Sequence, residues 1–501
     1  MRNSEQGQSA NFSEKRLERA CQHVSDLWFP PNPDLVSKLR SGLDSGKYED
    51  DIDSLLLEVR GDFSLYVYCL KEVIALLKKE GVSVPEQATP FELLRTAGLK
   101  NLKAILETDD NSISRHFYDG MSDYQRSRFE EAIVSASTSQ VLAESSEIDP
   151  ELGYSAALLR QLGLTLIAWN YPSVYQRALS MLKGSKPEDN VTLDSAISEV
   201  LGFSPTLLAL TLARKWGLPT RLCEALDESI PDDEIDFEKV EEELESDAVG
   251  YLLQHLCKVG EALARANNPE TYPTARTDWE SARTEITRRL GDDGIRQVQE
   301  AITENCQAYL ITTPDLFKAG TILELDQRLT DYERQALVDQ NPYLDLCRAH
   351  INRKLLKLYD MLRERDEAED CLRYLIKDVV PAAGFTAGCV YTIDPADQKL
   401  VPQLKLAKTV IRTASPVTYD PAKPPTDLID LAYRSDEPIV QDQVHCGEAV
   451  FASYAGLVGR SQRIGVLYLE IPDPIYQGSE KHHLNHFRAF RCALEHCLKL
   501  A

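Results

Sequence analysis

The chain has 501 residues, 43% hydrophobic and 27% charged, which suits a globular protein of about three domains with a sizeable core. Lys plus Arg number 55 against 80 Asp plus Glu, and the formal charge of -25 argues against a nucleic-acid surface or docking on anionic lipid. No stretch approaches the roughly 18 apolar residues of a membrane span. The opening MRNSEQGQSANFSEKR lacks the apolar core of a secretory leader, so residues 1–18 are expected to be a disordered tail. The 11 cysteines form no CxxC pair and are too sparse for a disulfide scaffold. They fit a reducing cytoplasm and small buried hydrophobes.

From Ala20 to Glu270 the chain is almost entirely helical in pattern. Val67, Leu70, Val73, Ile74, Leu76 and Leu77 repeat at helical spacing after Asp62-Phe63-Ser64-Leu65. Thr89-Pro90 caps another helix that Gly98 is expected to stop. Periodicity returns at Phe129, Ile133, Val134, Val141 and Leu142. It restarts after Asp149-Pro150 with Ala156, Leu158, Leu159, Leu162, Leu164 and Ile167, and a later leucine run closes at Trp216-Gly217-Leu218-Pro219. β-Branched strand patterns are nearly absent, which predicts an all-α domain over 19–270. The acidic run Asp227–Asp247 holds one base, Lys239, and reads as a solvated loop and polar helix face or as a lure for a basic partner.

Residues 271–369 are expected to form a helical connector. Within it, a short helix over 344–365 spaces Ile351, Leu355, Leu358 and Leu362 in heptad fashion. These four are a candidate homodimer seam, with a helix packed on its own domain as the alternative. After Asp370 the order changes to helix, strand (387–392), strand (399–404), helix (428–431), strand (439–440), strand (463–469) and a closing helix to Leu500. That order predicts an α+β domain with one antiparallel sheet over 370–501. Cys389, Tyr391, Val466 and Tyr468 are expected on a sheet face filled by side chains.

Several of these pieces carry a family likeness. Leu27-Trp28-Phe29-Pro30-Pro31, Asp62-Phe63-Ser64-Leu65, Leu94 to Leu102, Ala156 to Gly163 and Trp216-Gly217-Leu218-Pro219 occur in the order of an HDOD domain. Residues 20–270 therefore resemble this HD-related output domain of bacterial signalling proteins. The C-terminal pieces are similar to GAF domains, which sense small molecules or build dimers. Those pieces are Gly384-Phe385 into a strand, Ser435 to Val440, and Ile464 to Leu469. The cyclic-GMP signature of that family is not recognisable.

HD hydrolases hold one or two metals with a spaced His, an adjacent His-Asp pair and a further Asp, and the metal makes hydroxide near neutral pH. In this chain Arg160 and Gln161 stand where the pair would be. Arginine stays protonated and cannot ligate. No histidine lies between His116 and His255. His482 and His486, or His483 and His486, share a helix face but lack further ligands, and are expected at a solvated helix end. His445-Cys446 is expected in a loop, and Cys492, His496 and Cys497 in a core. Asp149 and Glu151 read as a helix start. No P-loop, GxSxG or GxGxxG in a fitting context appears, and no metal or cofactor is expected.

The likeness implies a cytoplasmic, non-catalytic bacterial signalling protein. Its HDOD module would bind protein partners and its GAF-like module would sense a small ligand or dimerise. The alternatives are a divergent metal-dependent phosphodiesterase acting on a cyclic nucleotide, and a nucleotide-gated sensor.

Overall fold

The computed structural model describes all residues except 1, 186–188, 190, 229–248, 313–321, 364–367, 395, 397, 406–414, 426, 447–448, 460–461 and 501. The acidic run thus falls almost wholly outside the described residues. The chain divides into two units, Met1–Leu329 and Thr330–Ala501. Residues 271–369, expected as a separate connector, are shared between them. Trp279, Ile286, Val298 and Tyr309 are buried in the first core, and Ile351, Leu355 and Leu358 in the second.

The first unit is all helical among its described residues. Its centre is the helix Pro150–Asn170, capped by the Asp149 carboxylate on the Glu151 amide at 2.8 Å. Buried side chains surround this helix on every side, from Leu152 to Trp169. A helix apolar all round must be enclosed, and this one packs on Asp123–Ser145, Pro205–Trp216 and Val249–Ala266. Two glycines set how closely it and its neighbours pack. A Cβ at Gly163 would collide with the Pro205 carbonyl, and one at Gly260 with the Ser135 carbonyl.

Two expectations for this unit are corrected. The tail is helical, Arg2–Leu27, and is tied down from residue 13. Ser13 Oγ donates to the Gly202 carbonyl at 2.6 Å, and Leu17 packs against the core. Gly98 kinks the helix Pro90–Leu106 with φ 74° and does not end it, because Leu102 and Leu106 continue its buried stripe.

The second unit is built on a six-stranded antiparallel sheet: β1 Ala387–Asp394, β2 Lys399–Lys405, β3 Val417–Thr418, β4 Ile439–Cys446, β5 Ala449–Val458 and β6 Gly465–Pro472. The strand order is β3-β2-β1-β6-β5-β4. β3 and β5 were not expected, and β4 is longer than expected, so His445 lies in a strand opposite Val450 and not in a loop. One sheet face packs on Ala349–Arg363, Ala368–Tyr374 and Glu480–Cys497 through Val390, Leu467, Leu469 and Phe487. The other is filled by Cys389, Tyr391, Val466 and Tyr468 with Leu400, Ile429 and Leu457.

The candidate seam is corrected as well. Ile351, Leu355 and Leu358 are each 0% exposed within one copy of the chain, and Leu362 is partly buried beside them. Their stripe is closed by Cys371, Leu375 and Leu494 of the same unit, which leaves no leucine seam for a second copy.

Candidate functional site

Arg160 and Gln161 sit in the middle of the most enclosed helix, and the surrounding helices decide what their side chains meet. Arg160 is 6% exposed. Its Nε donates to Glu261 Oε1 at 2.6 Å, its Nη1 to the Ala225 carbonyl at 2.9 Å, and its Nη2 to Glu228 Oε1 at 2.6 Å. A buried guanidinium needs such partners, because it cannot shed its proton. Burial alone would raise the Glu261 carboxyl, but the charge and bonds of Arg160 outweigh it and hold the group below the usual range. In return Glu261 and Glu228 hold Arg160 charged against its own burial.

Gln161 turns toward a second pair. Its Oε1 accepts from Arg128 Nη1 at 3.4 Å. Arg128 forms a buried ion pair with Glu131, and the Tyr272 hydroxyl bridges the two. Farther along, Arg265 Nη2 meets Asp278 Oδ1 at 2.6 Å. Asp194 Oδ1 accepts from the Thr206 amide at 3.3 Å and hydroxyl at 3.1 Å. Apart from Ala225, these groups line one cleft of about 470 Å³.

Chemically the cleft is a set of guanidinium–carboxylate pairs. Among the described residues no three His, Cys, Asp or Glu side chains converge as a ligand set. The histidines that bracket the segment are engaged elsewhere, His116 with Asn170 at 3.2 Å and His255 with Glu285 at 3.1 Å. Carboxylates held by arginines offer their lone pairs to N–H donors, so this donor set does not fit the metal centre of an HD hydrolase.

The remaining sequence candidates lie apart from the cleft. Asp149 and Glu151 start the central helix, and Glu151 pairs with Arg60. His483 and His486 are buried at 2% and 1% exposure, so the expected solvated helix end is corrected to a core position. His496 and Cys497 are buried on the same helix. Sequence reading missed Glu261, Arg128 and Asp194. The visible signal was Arg160 itself, a lone charge inside the apolar run Ala156 to Leu164, which demands a counter-ion from somewhere in the fold.

Residues 95–230 match the family model of the HDOD domain, and this region with its helical fold is an HDOD domain. No curated protein matches the chain. Among solved structures it is similar to a response regulator from Methylococcus capsulatus, at 15% identity and TM-score 0.37 over 57% of this chain and 99% of that one. It is also similar to a virulence factor from Campylobacter jejuni, at 16% identity and TM-score 0.39 over 58% and 99%. An HDOD domain protein of unknown function from Geobacter sulfurreducens aligns over 61% and 99%, at 16% identity and TM-score 0.30. Among the described residues no single helix is long and apolar enough to cross a membrane.

Proposed function

We propose that this chain is a cytoplasmic, non-catalytic signalling protein whose HDOD unit binds a protein partner and whose sheet unit is a GAF-like sensory or dimerisation module. The observation that carries the reading is the Arg160 guanidinium, fixed by Glu261 and Glu228, at the position that the family resemblance sets against the His-Asp pair of HD hydrolases. A hydrolase of that class needs a metal to lower the pKa of water and polarise a phosphoryl oxygen. Here a side-chain cation takes up the carboxylates, and a helical scaffold without that machinery serves as a surface. The GAF-like assignment is supported by the antiparallel strand order and by helices before and after the sheet that pack on one face of it.

The test is turnover. Purified full-length protein with added Mn²⁺ is expected to leave cyclic di-GMP and bis(p-nitrophenyl) phosphate unhydrolysed. Turnover that EDTA abolishes would overturn the non-catalytic reading.

A further inference from the structure

We infer that the cleft beside Arg160 binds an organic cation: a guanidinium or ammonium head on an apolar stem that also carries an oxygen acceptor. This rests on the non-catalytic reading of the helical unit and names the chemistry which that unit grips.

The argument begins with charge. Among the described residues the cleft is lined by three guanidiniums, Arg128, Arg160 and Arg265, and five carboxylates, Glu131, Asp194, Glu228, Glu261 and Asp278. Arg128 is matched by Glu131 and Arg265 by Asp278. Glu228 and Glu261 share Arg160. Among the described residues Asp194 has only Thr206 as donor, and both of those bonds fall on Oδ1. Among the described residues the wall therefore carries more negative charge than its arginines neutralise. Burial and the neighbouring Glu228 and Glu261 push the Asp194 carboxyl up to about 6, the behaviour of an anion that lacks a cation.

A second, independent observation lies in the same wall. Arg128 is 1% exposed and its Nε has no acceptor among the described residues. Buried donors are rarely left so. An oxygen on the ligand would satisfy it. Leu164, Leu182, Val191 and Leu193 give the lining an apolar part on which a methylene stem packs while its charged end reaches the carboxylates. The cleft volume of about 470 Å³ lies within the ordinary range for small-ligand sites. Phosphate is the wrong ligand, because the arginines are already engaged and surplus carboxylates repel it.

Two sources present this chemistry, an arginine or lysine side chain of a protein segment and a free amine. Titration calorimetry of the full chain with N-acetyl-L-arginine amide, agmatine and inorganic phosphate separates them. Saturable binding of the arginine amide or agmatine is expected, weakened at least about tenfold in Asp194→Asn and in Glu228→Gln. Tighter binding of the arginine amide assigns the site to a peptide side chain, and tighter agmatine binding assigns it to a free amine. Tryptophan emission checks that both variants remain folded. Absence of saturable cation binding overturns the inference, as does binding unchanged in both folded variants or phosphate binding more tightly than either cation. Phosphodiester turnover would defeat the non-catalytic reading alone, whereas missing cation binding without turnover defeats only this inference.

Discussion

The two units bury ionisable groups in opposite ways. In the helical unit, three buried arginines are each matched by a carboxylate: Arg60 with Glu151, Arg128 with Glu131, Arg160 with Glu261. In the sheet unit, His483, His486 and His496 are buried with Nδ1 unpartnered among the described residues. Burial pushes their protonation down, for His486 to about 4. The contrast follows from the side chains. Arginine cannot become neutral, so in the helical unit these three enter the core with a counter-ion, whereas imidazole enters as the neutral ring. Arginine therefore ties distant helices together, while histidine makes its unit sensitive to acid.

The largest expected effect breaks the arginine side of this contrast. Arg160→Met leaves Glu261 buried without its cation and is expected to cost ~3–5 kcal/mol. Urea unfolding followed by tryptophan emission reports it cleanly, since Trp28, Trp169, Trp216 and Trp279 all lie in Met1–Leu329. Adding Glu261→Leu is expected to return most of the loss. An Arg160→Met variant as stable as wild type would remove the pair from the account.

In the sheet unit, Leu355→Ala opens a cavity in a closed core and is expected to cost ~2–5 kcal/mol. Light scattering is expected to show the same mass before and after the substitution. A shift from dimer to folded monomer would restore the leucine seam.

Acid sharpens the contrast further. The unfolded His486 ring takes a proton near 6.5, while the folded ring refuses it until about 4. The stability this group contributes is present above 6.5 and lost as pH falls toward 4, on the order of 3 kcal/mol. Asp62 in the helical unit has the opposite sign. Burial raises its carboxyl to about 6, so its contribution is full below about 4 and lost as pH rises through 6. Hydrogen exchange of β1, β5 and β6, corrected for the intrinsic pH dependence, is expected to reveal acid opening that His486→Gln diminishes. Equal acid sensitivity in wild type and variant would contradict this assignment.

The smallest effect lies at the surface. Thr89 and Glu92 exchange bonds in a capping box, 3.2 Å and 2.8 Å, and Thr89→Ala is expected to cost ~1 kcal/mol in the same urea assay. No change would show that the box adds nothing to tertiary packing.

These effects also mark what was legible in the sequence. Thr89-Pro90, Asp149-Pro150 and Gly217 were readable because a cap or a left-handed stop acts within a few residues. Gly98 was misread because a glycine at positive φ permits a kink as readily as an end. β5, AVFASYAGLV, was missed because Ala, Ser and Gly alternate with larger residues and the strand is buried on both faces. The 4-3-4 spacing from Ile351 to Leu362 marks one apolar stripe correctly. What covers such a stripe is decided by tertiary structure, and here it is the same unit. Arg160 stood out, but its partner Glu261 lies 101 residues away, and no local pattern encodes that pairing.

We propose that the Arg160 side-chain cation stands where an HD hydrolase would hold its metal. Elemental analysis of the purified full-length chain, expressed with Mn, Fe and Zn supplied, tests it most directly. Metal well below one ion per chain is expected, unchanged in Arg160→Met. One or two ions per chain, with phosphodiester turnover that follows the metal content, would contradict it.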